Sequence, residues 1–131
     1  MEDKILIDTS VWIDFFKGTS EQTIETVSNL LKERRVLLTG IVLFELLQGA
    51  KDKKEAQKIS SLLAPLDRFD PDPIFWEEAG LEANRLRQKG ISSPTIDFIL
   101  AFIAIEAKAL FFSYDKHFQI VAQHLPLKLY S

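Results

Sequence analysis

Short apolar runs constrain this chain most: residues 5–7, 36–38 and 110–112, each built from branched or aromatic side chains, with residues 127–129 similar but for Lys128 between two leucines. Runs of this length with no polar alternation fit strands buried on both faces, as in a parallel sheet. The segments between them are long and repeat their apolar residues at helical spacing, over residues 20–34, 40–48, 52–63, 73–89, 94–109 and 116–123. A short strand is also expected at residues 66–69. Strands alternating with helices, without an Asn-Gly hairpin signal, predict right-handed crossovers. The expected architecture is therefore α/β: a three-layer α/β/α sandwich with a central parallel sheet of four to five strands. Asp72-Pro73 and Ser93-Pro94 mark helix starts, and Gly90 marks a helix end.

At 131 residues and 47% hydrophobic composition, the chain can bury one core, and residues 1–131 are read as a single domain. No internal repeat, linker or low-complexity tract interrupts it. The absence of cysteine excludes disulfides and thiolate chemistry, and fits a reducing, cytoplasmic setting. The opening residues Met1, Glu2, Asp3 and Lys4 lack the pattern of a signal peptide, and no apolar run approaches the ~20 residues needed to span a bilayer. A net charge of −3 argues against a general polyanion binder, so any nucleic-acid contact must use local charge. Three basic runs exist: Lys51, Lys53, Lys54 and Lys58; Arg34 with Arg35; and Arg85, Arg87 and Lys89. Each, taken alone, also reads as a solvated helix face.

Four carboxylates sit where a buried sheet should emerge. Asp8 ends the first apolar run, and Asp115 lies just beyond Phe112. Glu45 interrupts an apolar helix that follows Leu38, and Asp97 opens a helix, residues 95–104, that is apolar around its whole circumference. Capping accounts for Asp8, Asp97 or Asp115 individually, and a solvent-facing position accounts for Glu45. Together they form a different problem. Ligands of a parallel sheet bind at the carboxyl ends of its strands, where all four carboxylates would converge and repel one another. A divalent cation relieves that conflict. Oxygen donors without cysteine, and with histidine only at positions 117 and 124, favour Mg²⁺ or Mn²⁺ over zinc.

These stretches, with Asp8 in Ile5 to Trp12, Glu45 in Glu45-Leu46-Leu47-Gln48-Gly49, the Asp97 helix and Asp115 in Ser113 to Phe118, resemble the four acidic motifs of PIN-domain ribonucleases, particularly VapC-type toxins. The resemblance spans the whole chain in order. It implies a catalytic set of Asp8, Glu45, Asp97 and Asp115, with Asp8, Asp97 and Asp115 as metal ligands for Mg²⁺ or Mn²⁺. Thr9, Ser10 and Ser113 would orient those carboxylates. It further implies an RNA substrate, a small cognate antitoxin and a homodimer. Lys51, Lys53, Lys54, Arg85 and Arg87 are the candidate RNA contacts. Three positions depart from the family pattern: Ser113 replaces a common threonine, Lys108 stands where a glycine often ends the Asp97 helix, and Phe102 occupies a place often small.

The reaction expected is metal-dependent hydrolysis of RNA phosphodiesters. Other chemistries lack their signatures. No glycine-rich turn follows the first strand, Ser10 stands where a haloacid-dehalogenase-type phosphatase needs a second aspartate, and no Gly-x-Ser-x-Gly elbow exists. His117 and His124 read as surface or helix-end residues. Trp12, Phe15, Phe16 and Trp76 read as core, or as an apolar contact surface. The remaining alternative is an inactive PIN-like scaffold that binds a partner.

Overall fold

The computed structural model describes residues 3–131; Met1 and Glu2, part of the N-terminal reading, lie outside the described residues. Three apolar triplets become strands β1 (Ile5–Ile7), β2 (Val36–Leu38) and, at the far end of the chain, β4 (Leu110–Phe112). A two-residue strand, β3 (Asp67–Arg68), completes the sheet in the order β3-β2-β1-β4, with every pairing parallel. β1 lies at the centre, every one of its residues fully buried, because branched apolar side chains here have helices above and below.

The helices are α1 (Thr9–Lys17), α2 (Glu21–Lys32), α3 (Gly40–Gln48), α4 (Lys53–Leu63), α5 (Pro73–Gln88), α6 (Thr95–Glu106) and α7 (His117–His124). The path from β1 to β3 steps outward in one direction, and the path from β3 to β4 returns past β1. Right-handed crossovers running opposite ways place their helices on opposite faces, giving three layers. α1 packs on α2 and α3, α3 packs on α4, and α5 packs on α6, as that arrangement requires. The order of strands reverses beside β1, so the crevice at its carboxyl end is the expected ligand position.

Local signals set most boundaries. Ser20, Asp52 and Asp72 cap α2, α4 and α5 by accepting the backbone N–H three residues on. Two expectations change. The helices over 94–109 and 116–123 are trimmed or shifted to Thr95–Glu106 and His117–His124. The fourth apolar run, residues 127–129, contributes only a bridge between Leu129 and Phe111. The Ala109 amide is already donated to Ala104 O at 2.9 Å where α6 ends, so it cannot extend that ladder backward. Trp12 is wholly buried and packs against Phe15 and Phe16, which places it in the core, whereas Trp76 stays exposed beside Phe75. Among the described residues, no helix is long and apolar enough to cross a membrane.

Candidate active site

Asp8 is held from several sides. Its amide donates to Phe112 O at 2.8 Å, continuing the β1–β4 ladder, and its carbonyl accepts the Val11 and Trp12 amides that open α1. Its side chain does not cap that helix. Instead Oδ2 accepts hydrogen bonds from Ser10 Oγ at 2.9 Å and Ser113 Oγ at 2.8 Å. Ser113 Oγ also receives the Asp115 amide at 3.1 Å, so its single hydroxyl proton is directed to Asp8. Both serines reach the same carboxylate oxygen, leaving Oδ1 without a hydrogen-bond partner among the described residues.

The neighbouring acids are fixed by equally short links. Thr9 Oγ1 donates to Glu45 Oε1 at 2.7 Å, fastening the middle of α3 to the start of α1. Asp115 Oδ1 accepts the His117 amide at 2.9 Å, an Asx turn leading into α7, whose N-cap position is Lys116. Asp97 differs from both. It is half-buried in the first turn of α6 and makes no hydrogen bond or ion pair with any described residue. Burial pushes its carboxyl above the ordinary range; the charges of Asp8 and Asp115, and more weakly Glu45, push in the same direction, against a smaller opposing effect of His117.

The upward direction reflects burial and then the like charges of Asp8, Asp115 and Glu45 around it. The donors are all hard oxygens, the kind suited to Mg²⁺ or Mn²⁺. As the side chains stand, no group of three His, Cys, Asp or Glu among the described residues is placed to hold a metal ion. Mg²⁺ commonly binds through one or two carboxylates and keeps several waters, so a preformed three-donor cage is not required. The unbonded Oδ1 of Asp8 and the unbonded, crowded carboxylate of Asp97 fit that role.

The basic residues separate. Lys53 and Lys54 project into solvent at the start of α4, while Lys51 uses its amide on Glu55 Oε1 at 3.4 Å. Lys17 and Lys58, rather than Lys51, Lys53 and Lys54, line the cavity that Glu45 borders. Arg85 is engaged with Glu82, whereas Arg87 has no ion-pair or hydrogen-bond partner among the described residues. His117 is more than a helix-end residue. Its Nε2 meets Ser93 Oγ at 2.8 Å, linking the approach to α6 with the start of α7. The signal for this was its position two residues after Asp115, but a contact across 24 residues of sequence has no local signature.

The sequence model of the PIN domain family matches residues 5–123. The chain is 28% identical over 123 residues to VapC ribonuclease Mb1587 of Mycobacterium bovis, covering 91% of this chain and 92% of that protein. The same identity and coverage relate it to Ribonuclease VapC11 of Mycobacterium tuberculosis. Among solved structures, it superposes on VapBC from Salmonella typhimurium with a TM-score of 0.80 at 19% identity, covering 98% of both chains. VapBC2 from Rickettsia felis gives 0.77 at 22% identity, with 96% of both chains covered. Similarities at that identity establish the shared fold. With the matched region running from β1 into α7 and so taking in all four carboxylates, the chain belongs to the PIN domain family.

Proposed function

We propose that this protein is a metal-dependent endoribonuclease, the toxin of a type II toxin–antitoxin pair, that works in the cytoplasm as a single PIN-like domain. The observation that carries the reading is the state of Asp97: a half-buried carboxylate with no hydrogen-bond or ion-pair partner among the described residues, its pKa raised by burial and by Asp8, Asp115 and Glu45. Such an arrangement costs stability and is hard to explain by folding alone. The ribonuclease names of the relatives and the antitoxin complexes among the structural neighbours point to the same activity.

Asp8 and Asp97, with Asp115, are the residues that would hold one or two Mg²⁺ or Mn²⁺ ions. A cation held there would supply a water of lowered pKa and offset charge on the scissile phosphate. The protein supplies the alignment. Ser10 and Ser113 hold the Asp8 carboxylate by one oxygen and leave the other without a hydrogen bond among the described residues. Thr9 holds Glu45 by one oxygen, leaving the second to orient the attacking water or accept its proton. In-line hydrolysis leaves a 5′-phosphate and a 3′-hydroxyl, so the RNA 2′-hydroxyl is not the nucleophile.

The antitoxin reading has support on the surface. A cavity of about 640 Å³ borders Glu45 and is lined by Ile13, Phe16, Leu46, Ile59 and Leu62. Ile13 and Leu62 are 41% and 38% exposed, a seat for an apolar segment beside the acidic crevice. A homodimer completes the assembly proposed. The deciding experiment compares RNA cleavage by the wild type and Asp8→Asn with Mn²⁺ added or chelated. Cleavage that needs Mn²⁺ and disappears in a folded Asp8→Asn protein supports the reading; cleavage undiminished by the substitution overturns it.

A further inference from the structure

A second cavity, of about 310 Å³, lies between α5 and the start of α6, lined by Gly80, Asn84 and Arg87 of α5 with Ser92, Ser93 and Thr95 at the approach to α6. We infer that this cavity is a subsite for a phosphodiester of the RNA chain next to the one that is cut, an inference that rests on the ribonuclease reading.

Its chemistry is that of an anion site. The lining carries one cation, one side-chain amide and three hydroxyls, and no carboxylate, in a protein with net charge −3. Arg87 is without an ion-pair or hydrogen-bond partner among the described residues, although Arg85, two positions before it, is tied to Glu82. A free guanidinium presents a planar fork of donors that matches phosphate oxygens. Gly80, Asn84 and Arg87 recur at helical spacing and so share one face of α5.

Gly80 supplies an independent observation. It lies inside α5, where glycine weakens a helix, yet a Cβ added there would meet nothing within 4 Å. The protein's own packing gives no reason for a glycine. Close approach of a bound chain to the helix does. The location also fits. Ser93 is hydrogen-bonded to His117, whose amide holds Asp115, and Thr95 precedes Asp97 by two residues. Two residues lining the cavity thus touch or adjoin the segments that carry Asp115 and Asp97, and the inferred path of the RNA carries a neighbouring phosphate to it.

The test uses the full-length protein and a labelled single-stranded RNA containing a site mapped by wild-type cleavage. Binding is measured on the Asp8→Asn background, so the RNA stays whole. Arg87→Gln should weaken binding about tenfold, and should reduce the slope of log affinity against log salt by about one. Gly80→Gln should weaken binding while the melting temperature holds or rises, because glutamine favours helix and fills only the cavity. Lys32→Gln, at the end of α2 just before β2 begins, should leave affinity and slope unchanged. A single uncharged methylphosphonate linkage beside the cut should cost the Arg87 protein about tenfold and cost Arg87→Gln nothing further. Unchanged affinity and slope in Arg87→Gln, or a change of oligomeric state on sizing with RNA binding intact, overturns the subsite while cleavage by the wild type leaves the ribonuclease reading standing. A wild type that cuts no RNA overturns both.

Discussion

At the scale of single residues, Asp97 sets stability against function. Its carboxyl is raised above the ordinary value of 3.8 by burial first, and then by Asp8 and Asp115. Between the unfolded and folded values the native protein holds more proton than the unfolded chain, so stability falls as pH rises through that window and the penalty persists above it. Asp97→Asn removes the penalty. It should melt at a higher temperature than wild type at about pH 7 and lose this advantage near pH 4, while RNA cleavage disappears; thermal melts across pH together with a cleavage assay check both. Ser113 is the second residue to test. Because its one proton goes to Asp8, Ser113→Ala should lower the cleavage rate by roughly 10–100-fold, and Ser113→Thr should retain it. Single-turnover rates at saturating Mn²⁺ separate the two substitutions.

At the scale of elements, α6 shows how a local conflict is tolerated for a global placement. Phe98, Leu100, Ala101, Phe102, Ile103 and Ala104 are buried, and Phe98 stacks on Phe102 with ring centroids 6.0 Å apart. The large Phe102, where a small residue is common, is thus accommodated by stacking. The end of α6 is less comfortable. Lys108 has φ 56°, in the left-handed region, at the place where a glycine is common. Lys108→Gly should stabilise the protein by roughly 0.5–1 kcal/mol, the balance of relieved backbone strain against the added entropy of the unfolded chain. A urea titration measures this, and a Lys108→Gly protein less stable than wild type contradicts it. The start of α5 was legible because a cap is local: Asp72 accepts the Phe75 amide three residues ahead, whereas Ser93, expected to open α6 in the same way, meets His117 instead and leaves Pro94 as an N-cap without a side-chain hydrogen bond. The fate of residues 127–129 was not legible, since it turned on whether the Ala109 amide was already committed to Ala104.

At the scale of the whole molecule, a parallel sheet gathers into one crevice residues from opposite ends of the chain, and a cation bound only by the folded protein must stabilise it. With Mn²⁺ at a hundred times its Kd, the gain is about 2.7 kcal/mol, seen as an upward shift of the melting temperature that Asp8→Asn should lose. An unchanged wild-type melt at millimolar Mn²⁺ contradicts the metal reading. What the sequence by itself determined is the architecture: short buried runs and helical periodicity specify parallel α/β, and the acids proposed for its ligand edge follow from their places in that order. Only the tertiary structure decided how those acids are held and which bases stand near them. It brought Ser113 to Asp8 across 105 residues and His117 to Ser93 across 24, and left Arg87 without a partner among the described residues. The physical reason is range: periodicity, capping and pairs three residues apart on one helix, such as Glu82 with Arg85, act over a few residues, whereas the hydroxyls of Ser113 and Ser93 meet their partners only after the crossovers have set the distances.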